Sequence, residues 1–148
     1  MNTCFSYPKW EEIPSIDLYL DQVLLYVNQV FTPVFTEKEK GLTASMVNNY
    51  VKHGYLTKPD KKKYQRQQIA RLIAITTLKS VFSIQEIAQT LNTLQTQASS
   101  EQLYNAFVDY MNQGIDPSNP IIQSSCQTIK LYHHTLSLVT HHSEKEET

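Results

Sequence analysis

Ser45, Asn48, Asn49 and Lys52 stand at i, i+3, i+4 and i+7, a spacing that puts all four on one face of a helix. Each can hydrogen-bond and none is acidic. An asparagine amide offers a donor and an acceptor side by side, the pattern that matches the N6/N7 edge of adenine in the major groove. Thr43, just upstream, is suited to cap that helix, whose free amides can hold a phosphate. Asparagine is a mediocre helix former, and a face asked only for solubility would more often use Glu or Lys.

A second group follows: Lys58, Pro59, Asp60, Lys61, Lys62, Lys63 and Tyr64. Three adjacent lysines repel one another. Against a phosphate backbone they would release counterions and add affinity without sequence preference. Tyr64 is expected to bury its ring and turn its hydroxyl outward, within reach of a phosphate. Arg66 falls in the first turn of the next helix, where the dipole disfavours a cation and an external anion would relieve it. Residues 41–85 hold eight basic side chains and one acid, a net +7, whereas the rest of the chain carries −8. The total of −1 conceals that split. A basic block in an otherwise acidic chain points to a polyanion, and the groove-reading face points to double-stranded DNA.

Catalytic chemistry has no comparable signal. The chain holds no G-x-S-x-G, P-loop, dinucleotide fingerprint or C-x-x-C. Its paired carboxylates, Glu11-Glu12 and Glu146-Glu147, sit near the ends. The expectation is no enzyme and no cofactor. His134 and His141 are seven residues apart, too far to share an ion on one helix, so no metal is expected. Cys4 and Cys126 lack ligand spacing and read as reduced thiols, and with no secretory leader or membrane span the chain is expected in the cytoplasm.

The elements that must position these groups are helical, because three glycines are too few for a hairpin-rich fold. Residues 1–15 read as an extended aromatic arm. Ser15 caps a helix over 16–31, and a short turn at 36–39 has a capping-box pattern. Thr43 caps a helix over 44–53 that Gly54 ends. A third helix runs over 66–81. Ser83/Glu86 and Ser99/Gln102 are capping boxes that open helices to about 94 and 113. Pro120 starts the last helix, and 143–148 read as a frayed tail. On the last helix Ile122, Cys126, Ile129, Leu136 and Val139 form one apolar stripe, and Leu131 with Leu138 a second. Two stripes call for two neighbours, and a homodimer through the C-terminal helices would supply the second.

Residues Leu42 to Tyr50, then Gly54-Tyr55-Leu56, Pro59, Tyr64, Ile69, Leu72, Ile75 and Phe82 to Ile87 together resemble the DNA-binding domain of the MerR regulators. That family pairs a capped recognition helix with a wing and a closing helix pair. The whole chain also resembles a bacterial family known as domain of unknown function 1836, which shares the "LT-x-S-M-x-N-N-Y-V-K" and "K-K-Y" runs. The resemblance implies a mainly α fold: a MerR-like helix-turn-helix, its wing reduced, with two additional C-terminal helices. Residues 1–97 would hold the arm and the helix-turn-helix, and 98–148 the C-terminal region. It implies bacterial transcription regulation. Thr43, Ser45, Asn48, Asn49 and Lys52 would enter the groove, while Lys58, Lys61, Lys62, Lys63, Tyr64 and Arg66 hold the backbone. Two departures stand out: the 56–64 segment is shorter than a usual wing, and Ser45 and Asn48 replace arginines. An interaction adaptor and an effector sensor are the alternatives on the same fold.

Overall fold

Eight of the thirteen residues of the helix Arg66–Leu78 lie inside the protein, among them Ile69, Leu72, Ile73 and Ile75. A helix apolar on more than one side must be surrounded. In the computed structural model, which describes residues 5–34 and 41–147, it is the third of six α-helices. They are α1 (Leu20–Phe31), α2 (Ala44–Lys52), α3 (Arg66–Leu78), α4 (Ile84–Gln95), α5 (Ser100–Gln113) and α6 (Pro120–Glu147). α3 touches α1, α4, α5 and α6, and α2 packs on α1. The described protein is mainly helical, with one small sheet.

That sheet is a departure from the sequence reading. Leu18–Tyr19 (β1) pairs antiparallel with Lys63–Tyr64 (β2), Leu18 opposite Tyr64 and Tyr19 opposite Lys63. The backbone of 18 and 19 is spent on this ladder, so α1 opens at Leu20 and not at residue 16. Gln22 Oε1 accepts from the Tyr19 amide at 2.9 Å and caps it. Ile16, expected inside the first turn, is 71% exposed.

Most helix ends follow the local chemistry. The Thr43 hydroxyl accepts from the Met46 amide, and Gly54 (φ 76°) takes the left-handed position after α2. Ser83 and Ser99 each exchange bonds with Glu86 and Gln102. Asn119 Oδ1 caps α6 by accepting from the Ile121 and Ile122 amides. Two ends differ: α3 stops at Leu78, and α6 runs on to Glu147 where a frayed tail was expected. The pattern at 36–39 and Cys4 lie outside the described residues.

Paired amide bonds close the fold across long sequence gaps. Asn28 donates from Nδ2 to the Leu42 carbonyl (2.9 Å) and accepts at Oδ1 from the Leu42 amide (2.8 Å), fixing α1 to the start of α2. Asn112 does the same for Tyr7, accepting its amide at 2.9 Å and donating to its carbonyl at 3.0 Å. The Tyr104 hydroxyl donates to the Pro8 carbonyl at 2.7 Å. The aromatic arm therefore lies on α5, with Tyr7 edge-on to Phe31 and Phe107. One continuous cluster of buried apolar residues runs from Tyr7 to Ile129.

Candidate nucleic-acid interface

The core-facing side of α2 buries Val47 and Tyr50, which leaves its opposite side in solvent. Ser45, Asn48, Asn49 and Lys52 are all exposed there. Five other asparagines in the described residues commit their amides to the fold: Asn28, Asn92, Asn105, Asn112 and Asn119. Asn48 and Asn49 make no side-chain hydrogen bond with any described residue. Thr43 is partly buried and its hydroxyl already caps the helix.

Beyond Gly54 the backbone turns into a miniature hairpin. Asp60 and Lys63 exchange both backbone hydrogen bonds, the Asp60 amide to the Lys63 carbonyl at 3.1 Å and the reverse at 2.9 Å. Lys61 (φ 52°) and Lys62 (φ 68°) form the two-residue tip. Positive φ at both central positions is the pattern of the hairpin turn that favours Asn-Gly. Two lysines here are backbone-strained, each costing about 1–2 kcal/mol. Both are exposed. Strain of this kind is kept where the surrounding structure over-determines it, commonly at functional sites.

Two side chains that carry no charge hold the 57–64 segment in place. Gln68 is buried and donates from Nε2 to the Thr57 carbonyl (3.0 Å), the Thr57 hydroxyl (3.1 Å) and the Lys58 carbonyl (3.3 Å). Its Oε1 accepts from the Gln65 amide at 2.7 Å. Tyr64 is buried, and burial raises its phenol pKa. Sequence reasoning missed Gln68, because one glutamine in the polar run Gln65-Arg66-Gln67-Gln68 looks like surface.

The eight cations of the basic block divide into two sets. Arg66 donates from Nε to the Ile13 carbonyl at 3.1 Å and lies 5.9 Å from the Trp10 ring centre. An internal carbonyl thus takes one of the five donors of the guanidinium for which an external anion was expected. Arg71 donates to the Tyr55 carbonyl and to Asn92. Lys63 sits over Tyr19 at 5.0 Å and Lys79 over Tyr50 at 5.9 Å. Lys52, Lys58, Lys61 and Lys62 remain exposed, with no such partner among the described residues. None of the eight forms an ion pair with a described carboxylate. The positive potential of the block is therefore not cancelled locally.

A profile described as Domain of unknown function (DUF1836) matches residues 8–107. The chain belongs to the DUF1836 family. The matched segment contains the end of the arm from Pro8, α1 to α4 and the whole basic block, and ends within α5 before α6 begins. Comparison with curated proteins finds no match, and neither does comparison with solved structures.

The end of α6 departs from the expected packing. Ile122, Cys126 and Ile129 are buried as the stripe requires, but Leu136 and Val139 are exposed. Leu131 (64% exposed), Tyr132 and Leu138 join them, so the helix past Lys130 presents an apolar face to solvent. No described helix is long and apolar enough to cross a membrane. Among the described residues no three His, Cys, Asp or Glu converge as a metal would need.

Proposed function

We propose that this DUF1836 chain binds double-stranded DNA as a transcription regulator, through a MerR-like helix-turn-helix with a reduced wing. The outer face of α2 enters the major groove, with Asn48 and Asn49 on base edges and Ser45 and Lys52 beside them. Lys58, Lys61 and Lys62 lie along the phosphates, and Thr43 orders the helix start. Lys63, Tyr64 and Arg66 act from behind, building the sheet and the α3 start that hold the wing. The observation that carries this reading is the pair of idle amides on α2, in a fold that commits five other asparagines to internal bonds.

The exposed face of α6 supports pairing of two copies. Tyr132, Leu136 and Val139 stand at i, i+4 and i+7, with Leu131 and Leu138 flanking them. From 131 to 142 the helix has no Lys, Arg, Asp or Glu, so two copies meet without like-charge repulsion from those groups. A two-fold dimer reads two half-sites related by the same symmetry. The same face favours the rival reading, an adaptor that uses α6 to hold a different protein. Selection from random duplexes at low and physiological salt tests both. Enrichment of an inverted repeat supports the paired DNA reader. Retention of no duplex at either salt leaves the adaptor.

A further inference from the structure

An apolar chamber of about 80 Å³ opens between α3, α4, α5 and α6. Ala74 and Leu78, Leu91 and Leu94, Phe107 and Ile122 line it. It exists because α3 carries alanines at 70 and 74 where its neighbours carry larger side chains. A cleft of about 430 Å³ with a more polar, mixed lining adjoins it, walled by Tyr55, Thr57 and Asn92 among others. Gln67, Arg71, Gln95 and Ser100 line both, so the two form one groove with a greasy end and a wet end.

Among the described residues Arg71 is the only charged side chain in the lining of either part. Its Nε donates to the Tyr55 carbonyl at 2.8 Å and one terminal nitrogen to Asn92 Oδ1 at 3.0 Å. A guanidinium has five N–H donors, so capacity remains. It is half-buried and pairs with no described carboxylate. Burial works against the cation, drawing its pKa below the ordinary value. A partly desolvated charge of this kind is stabilised by an anion of matching geometry, and a carboxylate matches it bidentately.

We propose that this groove binds a small amphipathic carboxylate, its apolar tail in the chamber of α3 to α6 and its head group on Arg71. The chamber is about half the size of a dry apolar cavity of about 150 Å³ that takes up benzene, so it holds the far end of a short alkyl chain while the rest lies along the groove. Arg71 also holds the backbone of Tyr55, which leaves the end of α2. A head group that draws on the guanidinium therefore acts on the segment joining α2 to the wing. That last link rests on the DNA-reading proposal, but the binding site does not.

Titration of the full chain with octanoate in the absence of DNA tests the site, so its outcome is separate from that of the duplex selection. Octanoate should saturate one site and bind roughly tenfold or more tightly than octanol, the difference a charge-assisted pair supplies. Acetate, without a tail, should not saturate. Arg71→Gln should bring octanoate down to the level of octanol. On the unaltered protein, nuclear Overhauser contacts should join the octanoate chain to the methyl groups of Leu94 and Ile122. Equal affinity for octanoate and octanol, no saturation by octanoate, or contacts elsewhere on the surface would each overturn the proposal.

Discussion

Asn48 and Asn49 differ from other asparagines of the described fold in having nothing internal to do. Replacing Asn48 with alanine should therefore leave stability within about 0.5 kcal/mol of the parent. Against a selected duplex it should cost about 1–3 kcal/mol of discrimination at one base step, with little change on random DNA. Equal losses on both would remove Asn48 from base reading. Tyr50, on the opposite side of α2, shows the converse. Its hydroxyl is buried without a hydrogen-bond partner among the described residues, which costs about 1–3 kcal/mol relative to a satisfied group. Tyr50→Phe removes that group and keeps the ring, so urea denaturation should show equal or greater stability. A clear loss would mean that the hydroxyl is satisfied in solution. At this scale the exposed amide face was legible from spacing alone. The internal bond of Arg66 was not, because nothing in the spacing pairs its guanidinium with the Ile13 carbonyl, 53 residues away.

The hairpin at 60–63 and the short sheet beside it show what the elements contribute. A two-residue strand has no alternation to detect, so β1 could not be read from Leu18 and Tyr19, and α1 was expected four residues too early. The tip lacks the Asn-Gly signal of its turn type, and its lysines were read as charge alone. Their left-handed backbone makes a joint prediction about stability and binding. Changing Lys61 to Asn and Lys62 to Gly together should stabilise the protein by about 1–2 kcal/mol in urea melts, because both residues tolerate positive φ. The same change removes two cations and should weaken binding to all duplexes alike. Loss of stability would show that the turn is unstrained. By contrast, Thr43, Gly54, Ser83, Ser99 and Pro120 marked their helix boundaries plainly, since caps and breakers act within a few residues.

Across the whole molecule the arm, α3, α5 and α6 meet at a set of buried acid-type groups that must stay protonated. Burial pushes the Tyr7 phenol from near 10 to about 12, although the Thr77 hydroxyl bond offsets part of the rise. Burial likewise raises Tyr104, and lifts the Cys126 thiol from near 9 to about 12. These groups bind protons more tightly folded than unfolded. Their contribution to stability is complete below pH 9 and drains away as pH climbs from about 9 towards 12. Urea midpoints should hold steady from pH 7 to 8.5 and fall above 9; a flat profile to pH 11 would contradict the burial. The general helical architecture was readable from composition and periodicity. The groove between α3 and α6 was not, because a cavity depends on how four helices meet and not on any one of them. The exposed end of α6 was misread in part for the same reason: periodicity gives a stripe but not what covers it.

On the proposed reading Lys52, Lys58, Lys61 and Lys62, which have no partner among the described residues, meet a phosphate backbone together with the amide face of α2. Duplex affinity measured over 50–300 mM salt, for the parent and for a variant with Lys52, Lys58, Lys61 and Lys62 all changed to alanine, tests it most directly. The logarithmic salt slope should flatten by about 3–4 units per bound protomer, near 0.9 for each lost contact. Identical slopes, or a parent that binds no duplex at 50 mM salt, would contradict it.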